Sequence, residues 1–195
     1  VAVATAAERV LLPAIAHFRE RYPQANVALR VGNRTTVWEA LRHHEADLVM
    51  AGRPPAAIPA VVLASGENRL VAIGPPSGSR RGDNSDALEY MSHKTWLLRE
   101  PGSGTLEATQ TLIADLGIDP TTMILGSNSA VLYAVELGLG VGLISLDAAA
   151  PSISRGAVTM WPCPGTPIDR PWHLAAHSAR PLSPTARALA KSLIG

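Results

Sequence analysis

The chain has 195 residues, of which 47% are hydrophobic and 17% charged, with a formal net charge of +1. That length and apolar content suit a chain that buries a sizeable core, and the composition is ordinary globular usage rather than disorder. Near-neutral charge with scattered Lys and Arg argues against a surface that grips a phosphate backbone, and no apolar run approaches the roughly 20 residues that span a bilayer.

The chain opens inside a strand-like run, Val1-Ala2-Val3-Ala4, as an internal piece of a longer protein would. Thr5 is placed to cap a helix whose apolar residues Val10, Leu11, Ala14, Ile15, Phe18 and Tyr22 recur at helical spacing. Pro13 either kinks this helix or marks its start. Tyr22-Pro23 ends it, Val27 to Val31 alternates as a strand, and Gly32-Asn33-Arg34-Thr35 leads into a short helix from about Thr36 to His44. Three apolar runs follow: Asp47 to Ala51, Val61 to Ala64, and Leu70 to Ile73. The last stops at Gly74-Pro75-Pro76, a candidate hinge, while Arg53-Pro54-Pro55 and the stretch Pro75 to Ser85, with its Arg80-Arg81 pair, read as loops.

The pattern restarts with a strand at Trp96 to Leu98, a glycine-rich turn, a helix from about Ser103 to Leu116, and a strand at Met123 to Leu125. A helix from Asn128 to Leu137 and a strand from Val141 to Ser145 come next. Ala157 to Trp161 and Trp172 to His177 are strand-like, and Ser183 caps a final helix carrying Ala186, Leu189, Ala190 and Leu193. Strands alternating with helices predict an α/β fold with largely parallel sheets and right-handed crossovers. Two such sets predict two lobes, residues 1–73 with 158–195 and residues 74–157, the last elements returning to the first lobe.

The functional signal concentrates where strands run into helices, since ligands of open α/β sheets settle outside the carboxyl ends of the strands. Arg99-Glu100-Pro101-Gly102-Ser103-Gly104-Thr105 is such a junction. Its glycines admit a ligand to the backbone, its helix start offers N–H groups and a favourable dipole, and its hydroxyls add donors, which together suit an anion. A capped turn with no ligand has the same composition. Thr5-Ala6 and Asn33-Arg34-Thr35 occupy matching junctions in the first half, and Asn128 another in the second. Arg34 and Arg99 are the charge partners for an anion, or else members of ordinary ion pairs.

Other chemistries find little support. Gly138-Leu139-Gly140-Val141-Gly142 follows a helix and enters a strand, the reverse of a nucleotide-binding loop, and reads as a helix C-cap. His43 and His44 point about 100° apart on a helix, and His173 and His177 lie roughly 13 Å apart on a strand, so neither pair makes a metal site. No nucleophile elbow or carboxylate pair is present, so neither catalysis nor a cofactor is expected. Cys163, the single cysteine, fits a reducing, cytoplasmic setting and a structural role.

Taken in order, Leu11-Leu12-Pro13, Phe18, Tyr22-Pro23, Val31-Gly32-Asn33, Asp47-Leu48-Val49, Leu98 to Thr105, Val135 to Val141 and Leu182-Ser183-Pro184 resemble the regulatory domain of LysR-type transcriptional regulators along essentially the whole chain. The Arg99 to Thr105 string is similar to the branch that includes carbon-fixation and sulfur-assimilation regulators. Leu106 stands where that branch often has arginine, which points away from a strongly phosphorylated ligand and toward a carboxylate or smaller oxyanion. The resemblance implies two Rossmann-like lobes joined by two crossover strands, a type 2 periplasmic-binding-protein-like fold, with a small anionic metabolite between them. It also implies an antiparallel homodimer through Val10, Ala14, Phe18 and Val27 to Val31, or a tetramer when full-length, and contact with DNA only through a winged helix-turn-helix preceding Val1. A solute-binding protein of a transport system is the rival reading, since it shares the lobes and the ligand site.

Overall fold

The computed structural model describes residues 1–76 and 84–194. The Arg80-Arg81 pair and most of its predicted loop lie outside the described residues. The chain divides into unit 1, Val1–Glu67 with Arg170–Gly195, and unit 2, Asn68–Asp169. Each has its own sheet and core.

Unit 1 begins with β1 (Ala2–Val3), which passes directly into a helix made of α1 (Ala4–Ala6), a π-helical turn (Ala7–Leu11) and α2 (Leu12–Arg21). Thr5 does not cap this helix. Val3 holds the cap position, and Thr5 sits inside the first turn, 3% exposed. The π turn, in which the Leu12 amide donates to the Ala7 carbonyl, immediately precedes Pro13, the residue that can donate no helical hydrogen bond. Proline is thus absorbed by a local widening of the helix.

The predicted strand Val27 to Val31 shrinks to β2 (Val31–Gly32). Its alternation is real, since Ala25, Val27 and Leu29 are half-buried between exposed neighbours. Only β1 lies alongside, and two residues can support no longer ladder. Then follow α3 (Arg34–Arg42), β3 (Val49–Ala51) and β4 (Ala60–Gly66); after unit 2, β11 (Trp172–His177) and α8 (Pro184–Ile194) complete unit 1. The sheet order is β2-β1-β3-β11-β4, with β1, β2 and β3 parallel and β11 antiparallel to both β3 and β4. One face packs on the first helix through Ala6, Leu11, Met50, Trp172, Leu174 and Ala190, the other on α3 through Val37, Trp38, Leu41 and Ala175.

Unit 2 contains β5 (Arg69–Gly74), α4 (Asn84–Ser92), β6 (Trp96–Arg99), α5 (Gly104–Asp115), β7 (Thr122–Leu125), α6 (Asn128–Glu136), β8 (Val141–Ser145), α7 (Leu146–Ser154), β9 (Thr159–Met160) and β10 (Ile168–Asp169). Its sheet runs β10-β5-β8-β6-β7, with β9 also on β5. The parallel part is β8, β6 and β7, while β5 is antiparallel to β8. The run Leu70 to Ile73 therefore belongs to the second sheet, so the chain crosses near Glu67 and Asp169 and Gly74 lies within unit 2 rather than at the crossing. Leu70, Ala72, Trp96, Leu98, Leu112 and Leu143 form one face of the core, and Ile73, Leu97, Val131, Val135 and Ile144 the other.

Four helices end in one device, with the residue after the cap left-handed and two amides turned back onto the last carbonyls. At the end of α6, Gly138 (φ 78°) donates to Val135 at 2.9 Å and Leu139 to Ala134 at 3.0 Å. This confirms the predicted C-cap. Gly117 and Gly156 do the same after α5 and α7, but after α3 the left-handed position is held by His44 (φ 59°), whose ring lies 4.2 Å from that of His177. A non-glycine residue there stores about 1 kcal/mol or more.

Two stability measurements follow. His44→Gly is expected to raise stability in chemical denaturation by about 0.5–1 kcal/mol; a loss would show that the His177 contact outweighs the backbone strain. A Cβ on Gly140 would lie 2.1 Å from the Thr95 carbonyl oxygen, whereas one on Gly66 meets nothing within 4 Å. Gly140→Ala should therefore cost about 2–4 kcal/mol and Gly66→Ala within about 0.5 kcal/mol of nothing.

Candidate functional site

In unit 1 the parallel strands end side by side, Val3 opposite Gly32, and each feeds a helix. Asn33 caps α3: its Oδ1 accepts from the Thr36 amide at 2.9 Å and from the Thr36 hydroxyl at 3.0 Å. Arg34, in the first turn, donates from Nη2 to the Arg53 carbonyl at 3.1 Å, which ties the start of α3 to the loop after β3. Thr35 is exposed, whereas Thr5 and Ala6 are buried at the end of β1. The structure thus gathers Asn33, Arg34 and Thr35 on an accessible helix start and places Thr5 and Ala6 beneath the surface.

In unit 2 the corresponding junction is the end of β6. The Glu100 carbonyl accepts from the Ser103 amide at 3.1 Å, Gly102 turns with φ 85°, and Ser103 caps α5 by accepting from the Thr105 amide at 3.2 Å. Ser103 is 3% exposed and Gly104 is the first residue of the helix. Arg99 makes a bidentate pair with Glu100, Nε to Oε2 at 2.7 Å and Nη2 to Oε1 at 2.8 Å, and its Nη1 donates to Asn128 Oδ1. One guanidinium therefore joins the turn leading into α5 to the start of α6, and its charge is balanced by the adjacent carboxylate. Asn128 is the first residue of α6, while the cap is Ser127, whose hydroxyl accepts from the Ala130 amide at 3.0 Å.

Sequence reasoning passed over Glu100, Ser127 and the buried Ser145–Asn68 hydrogen bond of 2.7 Å. Ser127 was findable, being a serine directly before a helical run. Glu100 was in view inside the motif, but its pairing with its neighbour depends on a turn that spacing does not reveal.

Each cradle supplies backbone amides and hydroxyls, with no nucleophile–base pair within it. Burial pushes the Cys163 thiol up to about 11, so the thiolate form is scarce at neutral pH. Among the described residues no group of three or more His, Cys, Asp or Glu could hold a metal ion.

Comparison with known proteins sets these junctions in context. The model of the LysR substrate binding domain matches residues 1–194. The HTH-type transcriptional regulator CfxR of Cupriavidus necator is 33% identical over 171 residues, 87% of this chain and 54% of its own length. The RuBisCO operon transcriptional regulator of Allochromatium vinosum is 30% identical over 189 residues, 96% of this chain and 63% of its own. The chain thus spans little more than half the length of the regulators it matches. Among solved structures, the regulatory domain of Synechocystis PCC6803 CcmR in complex with 2-PG superposes with a TM-score of 0.88 at 26% identity, covering 99% of this chain and 93% of that one. The effector binding domain of QuiR in complex with shikimate shares the fold, with a TM-score of 0.80 at 15% identity, covering 98% and 92%. The two-sheet α/β plan is the type 2 periplasmic-binding-protein-like fold, and the chain belongs to the LysR substrate-binding domain family.

Proposed function

We propose that this chain is the effector-sensing part of a LysR-type transcriptional regulator and that its effector is a small anionic metabolite, a carboxylate or other oxyanion. The observation that carries this reading is the repeated junction of a parallel strand with a capped helix start, Asn33 on α3 and Ser103 on α5, in a chain similar to a regulatory domain that holds 2-PG. Helix N-termini with adjoining hydroxyls are anion receptors. Thr5, Ala6, Asn33, Arg34 and Thr35 from unit 1, and Arg99, Gly102, Ser103, Gly104, Thr105 and Asn128 from unit 2, form the proposed contact set. Of these, Thr5 and Ala6 act from beneath and Arg99 acts as the brace between α5 and α6.

A ligand that engages both sets biases the domain toward its bound arrangement by no more than its preference for that arrangement. This bias is the proposed signal to DNA-binding heads in the complete, cytoplasmic regulator. The relatives are named as transcriptional regulators, which favours this reading over a transport component. No helix among the described residues is long and apolar enough to cross a membrane.

Self-association fits the open edges of the two sheets, whose outermost strands are β2 and β4 in the first and β10 and β7 in the second. Val31 on β2 and Ile124 on β7 are 58% and 59% exposed. Edges of this kind invite a partner, and we assign them to a homodimer.

Titration with acetate, sulfate and 2-PG is expected to raise the thermal midpoint with at least one of the three, since a ligand that binds only the folded state stabilises it by about 2.7 kcal/mol at a hundred times Kd. Ser103→Ala should reduce the shift, and an undiminished shift would remove the α5 junction from the site. In light scattering, Ile124→Asp or Val31→Asp should move a dimer toward monomer; unchanged mass in both variants would count against these edges.

A further inference from the structure

We infer that Arg53, Ser65 and His173 form the anion-reading part of unit 1, with Arg53 supplying the charge and the Ser65–His173 pair supplying directional hydrogen bonding to the same ligand. This rests on the effector reading above and adds three residues to it. The placement comes from strand directions. β1, β2 and β3 run parallel, so their carboxyl ends share one edge of the sheet; β11 is antiparallel to β3, and β4 to β11, so the start of β11 and the end of β4 meet at that edge.

The registers are specific: His173 is opposite Ala51 on one side and Ser65 on the other. Directly opposed residues project on the same face. Ala51 and Ala175 belong to the cluster with Val37, Trp38 and Leu41 of α3, so His173 and Ser65 stand on the face that α3 covers. Two residues beyond Ala51 comes Arg53, whose carbonyl receives the Arg34 hydrogen bond. The ends of β3 and β4 and the start of β11 thus share one edge, and the Arg53 carbonyl ties that edge to Arg34 at the start of α3.

Their chemistry complements that helix start. Ser65 Oγ and His173 Nδ1 are 2.8 Å apart, which fixes the ring and turns Nε2 to other partners. Burial and the nearby Arg53 cation hold the imidazole below its usual range, so at neutral pH it is uncharged and able to serve a hydroxyl or an oxyanion. Arg53 is exposed and makes no ion pair among the described residues. This differs from Arg99, whose charge Glu100 balances. In this account Arg34 positions the loop and Arg53 meets the anion.

The test is calorimetric titration of the whole 195-residue chain with 2-PG, sulfate and acetate, in the parent, Arg53→Gln, Arg53→Lys, Ser65→Ala and Ser103→Ala. Arg53→Gln should weaken binding of whichever probe the parent takes up by about tenfold or more, and Arg53→Lys should restore part of it. Ser65→Ala should weaken it several-fold, with unliganded thermal midpoints unchanged. Affinity within about twofold of the parent in Arg53→Gln, while Ser103→Ala is weakened, overturns this inference and leaves the effector reading standing. A parent that takes up none of the probes overturns both. Should Arg53→Gln not fold, the His173 ring resonances of the parent decide: a shift at saturation supports the assignment and an unmoved ring overturns it.

Discussion

The antiparallel insertion of β11 between β3 and β4 holds unit 1 together. In the order β2-β1-β3-β11-β4, the long edge strand β4 has no neighbour but β11, and the buried Leu174, Ala175 and Ala176 lie on the inserted strand itself. A segment near the end of the chain therefore completes a sheet begun at residue 2. The same insertion carries His173, one of the proposed ligand contacts, to the edge where β1 and β2 run into their helices and β3 ends. Core and site are set by one pairing, so a change that disturbs the register of β11 acts on both.

Each unit then solves the same problem with different side chains. A strand ends, a polar residue caps the following helix, and a neighbouring segment is tied to that start. In unit 1 the tie runs from Arg34 to the Arg53 carbonyl; in unit 2 it runs from Arg99 to Glu100 and Asn128. The first tie ends on a neutral carbonyl and the second on a carboxylate.

Much of this was legible in the sequence, for identifiable reasons. Fully apolar runs marked β5, β6 and β8 because strands buried on both faces carry no polar alternation, and the turns Gly32 to Thr35 and Arg99 to Thr105 marked the strand-to-helix junctions that lead into α3 and α5. Thr5 misled because a threonine near a helix start is not always at the cap. The helix α7 was missed because Pro151 interrupts its pattern, and β10 is two residues long, too short for periodicity to register, whereas β9 falls inside the expected strand Ala157 to Trp161. The domain boundary moved because an apolar run does not say which sheet it joins. Arg53, Ser65 and His173 were invisible as a group, since only sheet register brings them together.

Unit 2 is an insert whose ends are fastened to each other. Arg69 near its start pairs with Asp169 at its end, in register and through an ion pair of 3.7 Å. On the ribosome this unit has every strand of its sheet once residue 169 has emerged, while the first sheet still lacks β11. Unit 1 must therefore keep β4 from self-association until the last segment arrives, with Val61 and Val62 at 45% and 43% exposure even in the finished sheet. The nascent chain is most vulnerable to aggregation in that interval, and a finished, closed unit 2 shortens the unstructured length that remains at risk.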